Sequence, residues 1–316
     1  MIRFIQSVTK KVCSGGQISK SEALKLLSVN DTELYHLLVN TNLVRLHFCG
    51  RSVDLCAITN AKSGLCPEDC SFCSQSIHHH TDIPTYPLIS PEEMVKRAKE
   101  ARSKKAHRFC IVVSGRRVNN GELDKICKAL SLMKQKFPSL RRDASLGELT
   151  KDMAYQLKEA GLERYNHNIE TTKDLFPQIC TTHSFIDRLK TIEMLKEVGL
   201  EVCCGGIFGL GESAKQRIEL AFELKSLDVD CIPLNFFNPI SGTPLGSNPP
   251  IAPLELLKTV AIFRYILPNK QIRICGGREK NLRSLQSMIF LAGADSILIG
   301  DYLTTKGALV EDDLQM

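Results

Sequence analysis

Short apolar runs alternate with longer amphipathic stretches along most of this 316-residue chain. Val53–Thr59, Arg108–Ser114, Leu140–Leu146, Arg164–Ile169, Glu201–Gly205, Cys231–Phe236, Gln271–Cys275 and Ser296–Ile299 each have the length and near-continuous hydrophobicity of a buried parallel strand. Between them the pattern is helical. Ser90-Pro91-Glu92-Glu93 predicts a helix start with a capping box and Pro at the first helical position, and Gly161 and Gly199 predict helix ends. Eight such β/α repeats predict a (β/α)8 TIM-type barrel, with catalytic loops following the strands. Residues 1–45 carry no strand pattern and predict helices beginning near Ser19 and Asp31. The expected organisation is an N-terminal helical extension, 1–45, followed by a barrel, 46–316, with no linker or second folded domain.

Composition narrows the class. The chain is 43% hydrophobic and 24% charged, as expected of a soluble globular protein. A net charge of +6 is dispersed, and pairs such as Lys104-Lys105 and Arg116-Arg117 are too short for a nucleic-acid stripe. No apolar run approaches the roughly 18 residues needed to span a membrane, and the N-terminus lacks a signal-peptide core. A cytoplasmic protein without nucleic-acid or membrane partners is expected. Its thirteen cysteines then point to metal or redox chemistry, because the cytosol keeps thiols reduced.

Three of those cysteines, Cys66, Cys70 and Cys73, stand at C-x3-C-x2-C spacing in a loop directly after the first predicted strand. Thiolates so close repel one another unless a metal neutralises them. A 4Fe-4S cluster on three thiolates leaves one iron free to bind a ligand. Zinc is the rival, with His78, His79 or His80 as fourth donor. On the fourth strand, alternation puts Asn166, Asn168 and Glu170 on one face, pointing into the barrel. The internal cysteines read singly as small buried hydrophobes. Cys110, Cys203 and Cys275, with Arg273 beside Cys275, lie on converging strands and together form a candidate second cluster site.

The cysteine loop resembles the signature of the radical S-adenosylmethionine (SAM) superfamily, with Phe72 as the aromatic before the third cysteine. Lys62-Ser63-Gly64, Cys66-Pro67-Glu68-Asp69-Cys70 and Tyr165-Asn166-His167-Asn168 resemble the biotin synthase family in particular, and the similarity runs from about residue 40 to residue 305. The resemblance implies a sulfurtransferase that converts dethiobiotin to biotin. It implies a 4Fe-4S cluster on Cys66, Cys70 and Cys73 that cleaves SAM to a 5′-deoxyadenosyl radical. It also implies an auxiliary iron–sulfur cluster, 2Fe-2S or a variant, that donates sulfide. By the same resemblance Phe72, Asn168, Glu170 and Arg188 bind SAM, and Asn166, Asn168 and Asn235 bind substrate. Glu170 stands where the family usually has Asp.

Cys110, Cys203 and Arg273 match three of the family's four auxiliary ligands. The fourth, a cysteine, falls on Asp143, and Cys275 is the additional thiol expected to compensate. Gly205-Gly206-Ile207-Phe208-Gly209-Leu210-Gly211-Glu212 is not a dinucleotide fingerprint and predicts a tight turn with close backbone approach to SAM. A low-potential donor such as flavodoxin or ferredoxin and a homodimer are the implied partners. The competing readings are another radical SAM enzyme, hydrogenase-maturase-like or a mutase, and a zinc-binding non-enzyme.

Overall fold

A computed structural model describes all 316 residues. Three helices open the chain: α1 (Ile2–Cys13), α2 (Lys20–Leu27) and α3 (Asp31–Cys49). Ser19 with Glu22 and Asn30 with Glu33 form reciprocal capping boxes that fix the starts of α2 and α3. The repeats then run β1 (Asp54–Lys62), α4 (Pro91–Ser103), β2 (Arg108–Val113), α5 (Asn120–Lys136), β3 (Arg141–Ser145), α6 (Lys151–Glu159) and β4 (Arg164–Asn166). They continue with α7 (Phe176–Ile179), α8 (Phe185–Val198), β5 (Glu201–Cys203), β6 (Gly206–Phe208), α9 (Ala214–Ser226), β7 (Cys231–Phe236) and α10 (Pro253–Ile266). The chain closes with β8 (Gln271–Ile274), α11 (Arg278–Leu282), α12 (Met288–Leu291), β9 (Ser296–Leu298) and α13 (Val310–Gln315).

All strand pairings are parallel, in the order β5-β4-β3-β2-β1-β9-β8-β7-β6, and Cys203 pairs with Cys231 to join β5 to β7. That pairing closes the barrel. β5 and β6 are halves of one wall, so the nine segments make the eight walls expected. The wall breaks at Cys204-Gly205 for a steric reason. A Cβ on Gly205 would lie 2.0 Å from the Pro233 carbonyl oxygen, and one on Gly206 would lie 2.4 Å from that of Glu170. Glycine is required at these two positions by the close approach of the Pro233 and Glu170 backbones.

Three local expectations need correction. The fourth strand ends at Asn166, not Ile169, and the chain meets the wall again at the isolated parallel bridge of Glu170, whose φ is 63°, with Gly206. At α4, Ser90 accepts from the Glu93 N–H at 3.1 Å, but the reciprocal half of the capping box is missing. The Glu93 carboxylate instead accepts from Arg97 Nε at 3.0 Å. β1 also runs three residues beyond its predicted end, which carries the chain to the edge of the cysteine loop.

The N-terminal helices share the barrel's apolar core. Ile5, Val8, Leu34 and Leu37 belong to one continuous buried cluster with Leu256, Val260 and Phe263 of α10. Thr9 Oγ1 and Tyr265 OH meet at 2.7 Å. Every residue of α10 from Leu256 to Ile266 is buried, which explains its hydrophobicity on all sides.

At the other end of the strands the barrel floor is charged. Arg108 reaches Asp143 at 2.8 Å and Glu201 at 3.2 Å; Arg164 reaches Glu201 at 2.8 Å; Arg273 reaches Asp54 at 3.3 Å. These three arginines are buried and each is paired, which is what makes burial of the charge tolerable.

Candidate functional site

The cysteine loop caps the C-terminal mouth of the barrel. After β1, the Cys66 N–H donates to the Gln75 carbonyl at 3.0 Å and the Ile77 N–H to the Cys66 carbonyl at 2.9 Å. The Cys73 N–H closes a tight turn on the Cys70 carbonyl at 2.9 Å. These bonds bring all three thiols to one cavity of ≈ 230 Å³. His78 and His79 are held elsewhere, their Nε2 atoms each 3.0 Å from a backbone oxygen, of Pro67 and Cys70 respectively. The predicted zinc alternative with a histidine from this run therefore has no assembled donor set.

Asn166, Asn168, Glu170, Arg188 and Phe72 line the same cavity. Phe72 packs at its edge against the apolar cluster of Leu175, Ile179, Leu210 and Phe237. Asn168 Oδ1 accepts from the Gly205 N–H at 3.1 Å, and Arg188 donates to the Asn168 carbonyl at 2.7 Å. Alternation is not what gathers these residues. The strand has ended, and His167, which alternation assigns to the opposite face, also lines the cavity. Glu170 Oε2, Asn166 Oδ1 and His167 Nε2 are buried without partners. Orphaned donors and acceptors on a cavity wall fit a polar ligand, since buried polar atoms otherwise find partners in the protein.

Electrostatics are consistent with that role. Burial raises the Glu170 carboxyl above its ordinary value, and Arg188, 4.0 Å away, pulls it back. His167 is pushed down to about 3, first by burial and then by the positive field of Arg188 and His183, so it stays neutral.

Cys110, Cys203, Arg273 and Cys275 lie deeper in the barrel and do not line this cavity. Asn166 links the two levels, donating from Nδ2 to Cys110 Sγ at 3.2 Å. Cys110 and Cys203 are fully buried, and Cys275 packs against Cys56 and Leu298. Cys231, the register partner of Cys203, completes a second thiol-rich level. Cys56 and Cys231 escaped the sequence reading, although Cys231 shares a strand face with Asn235 and was legible on that ground. Burial, then the Asp143 carboxylate, pushes the Cys110 thiol well above its ordinary range, so only a bound metal would favour its thiolate.

Asp143 itself is occupied by Arg108, although its Oδ2 has no partner. Arg273 spends Nε on Ser296 at 3.0 Å. Asn235 stands apart from the cavity and bridges two walls, accepting from the Gly276 N–H at 3.0 Å and donating to the Gly206 carbonyl at 3.4 Å.

Glu68, Gln75, Cys180 and His183 were also missed. Gln75 Oε1 accepts from the Gly64 N–H at 3.2 Å and from Asn60 at 3.4 Å, which fixes the loop's entry. Arg188 Nε donates to His183 Nε2 at 3.0 Å, and Glu68 contacts His183 Nδ1. Cys180 lies 3.8 Å from Cys70, sulfur to sulfur. The proton of that pair stays on Cys70, and Cys180 is pushed down to about 4, first by its hydrogen bond with Cys70 and against the effect of burial.

Comparison with known proteins then bears on this arrangement. Residues 62–224 match the sequence model of the Radical SAM superfamily, and residues 233–316 that of the Biotin and Thiamin Synthesis associated domain. The whole chain is 49% identical to a biotin synthase of Citrifermentans bemidjiense, covering 96% of that protein. The chain belongs to the biotin synthase family. A biotin synthase of Geobacter sulfurreducens is 48% identical over the whole chain and 96% of its own length. The crystal structure of methylornithine synthase superposes with a TM-score of 0.81 at 22% identity, over 92% of this chain and 85% of that one, and so shares the fold.

The family carries a 4Fe-4S cluster, SAM and an auxiliary iron–sulfur cluster, and both levels of the barrel suit such groups. The upper one offers three convergent thiols beside orphaned polar atoms; the lower one offers buried thiols beside a buried guanidinium. No helix is long and apolar enough to cross a membrane.

Proposed function

We propose that this chain inserts sulfur into dethiobiotin to form biotin by radical SAM chemistry. The observation that carries the proposal is the two-level interior of a member of the biotin synthase family that spans 96% of its relatives' length. When bound, the upper cluster supplies the electron that cleaves SAM, and the lower one supplies sulfide. The chain's own residues do the rest.

Cys66, Cys70 and Cys73 would hold the upper cluster, which would bind SAM when loaded. Phe72, Asn168, Glu170 and Arg188 hold SAM at the cavity wall, with Arg188 presented by its bonds to Asn168 and His183. Asn166 and Asn168 orient dethiobiotin, while Asn235, away from that cavity, ties two walls together through Gly206 and Gly276. The loop and barrel mouth exclude water from a radical that would otherwise be quenched. We extend the reading to a low-potential flavodoxin or ferredoxin as electron donor, a homodimer, a cytoplasmic setting, and an N-terminal helical extension whose last helix, α3, carries it past the expected boundary at residue 45 to Cys49.

For the auxiliary cluster we assign Cys110, Cys203, Arg273 and Cys275. Asp143, where the family usually has cysteine, is engaged by Arg108 and is a harder, weaker ligand for iron–sulfur. Cys275 supplies the missing thiol, and its packing against Cys56 keeps it inside the barrel. Anaerobic reconstitution with SAM, dethiobiotin and a reductant tests the function through its products. Wild type should form both 5′-deoxyadenosine and biotin. Cys275→Ser should keep 5′-deoxyadenosine but lose auxiliary iron and biotin. Full biotin yield from that variant would return Asp143 to the ligand set, and wild type that cleaves SAM without sulfur insertion would favour the other radical SAM reading.

A further inference from the structure

Beside the cysteine loop, Cys180 joins Cys70 and His183 in a donor set that the proposed reaction does not employ together. Cys180 directly follows α7, and its Sγ is 3.8 Å from that of Cys70. The His183 ring nitrogens lie 3.2 and 3.8 Å from Cys180 Sγ. One ligand atom from each of Cys70, Cys180 and His183 falls within 4.8 Å of the other two. A tetrahedral zinc ion, with bonds of about 2.3 Å to sulfur and about 2.0 Å to nitrogen, sets two sulfurs about 3.8 Å apart and sulfur and nitrogen about 3.5 Å apart. The side chains already stand close to those spacings.

We propose that, before iron is loaded, Cys70, Cys180 and His183 bind a single tetrahedral divalent ion of the zinc class. The surrounding structure preassembles the site. Asp69 accepts from the backbone N–H groups of Thr181 at 2.9 Å and Thr182 at 3.2 Å, and the Ser71 N–H donates to the Ile179 carbonyl at 2.9 Å. These bonds tie the cysteine loop to the segment carrying Cys180 and His183 without any metal. The Asp69 and Glu68 carboxylates next to the donors favour a cation against the Arg188 guanidinium, and because Arg188 holds His183 Nε2 at 3.0 Å the ion would take Nδ1 in place of its contact with Glu68. On binding, any ligating thiol that still holds a proton releases it to solvent, and the imidazole donates a ring-nitrogen lone pair. No electron transfer is involved.

Cys70 belongs both to this set and to the cluster triad, so ion and cluster exclude one another. A bound zinc would hold Cys70 toward α7 and leave Cys66 and Cys73 without their third partner. Zinc should therefore compete with cluster assembly. This consequence rests on the cluster assignment above; the ion-binding step does not.

The experiment titrates the full-length, iron-free chain with zinc alone under anaerobic conditions and reads the ligand set by X-ray absorption at the zinc edge. One ion per chain is expected, with two sulfur neighbours and at least one imidazole nitrogen. Cys180→Ala and His183→Ala should each weaken binding by about tenfold or more, while Cys66→Ala should bind like wild type. Three sulfur neighbours in wild type would place the ion on the cluster triad and overturn the proposal. So would Cys180→Ala binding zinc as tightly as wild type. The wild-type absorption measurement needs no variant to fold, and zinc titration involves neither SAM nor dethiobiotin, so its failure leaves the sulfur-insertion reading untouched.

Discussion

Removing the Asp143 carboxylate should destabilise the barrel while sparing the auxiliary iron. Asp143 and Arg108 are 0% and 1% exposed and meet at 2.8 Å, so Asp143→Ala strips a buried guanidinium of its nearest counter-charge. Breaking a buried pair from one side costs about 3–5 kcal/mol. Arg108 keeps Glu201 at 3.2 Å, and that partner is 34% exposed, which sets the expectation near the lower end, about 3 kcal/mol. Unfolding entropy of roughly 2.1 cal/mol/K per residue gives a chain of this size about 0.66 kcal/mol/K. The melting temperature should then fall by about 5 °C. Thermal melts of the iron-free chain by circular dichroism make the comparison.

Asp143→Cys, which restores the family's usual thiol, should melt within about 2 °C of the Ala variant, because a neutral thiol leaves the same charge uncompensated. Replacing the pair together, Arg108→Met with Asp143→Leu, should recover most of the loss. Iron analysis of the reconstituted proteins completes the test. An unchanged melting temperature with loss of auxiliary iron from Asp143→Ala would refute the reasoning and make Asp143 a ligand.

Tyr165 donates to the Gly147 carbonyl at 2.7 Å and accepts from the Leu146 N–H at 3.0 Å. Tyr165→Phe leaves both backbone groups unpaired in the core and should cost about 2 kcal/mol, read from the shift in denaturant midpoint. His167, held near 3 in the fold against an ordinary 6.5, is neutral when folded and takes a proton when unfolded. Its contribution to stability is complete above pH 6.5 and is lost as pH falls toward 3, by up to about 1.4 kcal/mol per pH unit. Glu170 titrates in the opposite sense, so the difference between wild type and His167→Gln isolates the histidine, and equal pH profiles would contradict the assignment.

The parts legible in the sequence share a physical reason. Strand runs and cap residues report local periodicity, and Cys66, Cys70 and Cys73 sit so close in sequence that their chemistry needs no tertiary information. Whatever depended on meeting across walls was hidden. Asp143 could be aligned with a missing cysteine, but the parallel register that sets it opposite Cys110, with Arg108 two residues back reaching it diagonally, could not be read from the sequence. Cys180 and His183 reach Cys70 only because the segment after β4 folds back over the loop.

The polar segment was half legible. Asn166, Asn168 and Glu170 do line one cavity, yet the strand ends at Asn166, and His167, which alternation assigns to the other face, lines it too. Asn235 came from the family resemblance and not from alternation, and its amide bridges walls outside the cavity.

The central claim is that the Cys66, Cys70 and Cys73 loop opens one iron to SAM at the barrel mouth. The direct measurement is 5′-deoxyadenosine formed by Cys70→Ala after anaerobic reconstitution, beside wild type and with folding verified by circular dichroism. The account predicts a folded barrel with no SAM cleavage. Cleavage at the wild-type rate would contradict it.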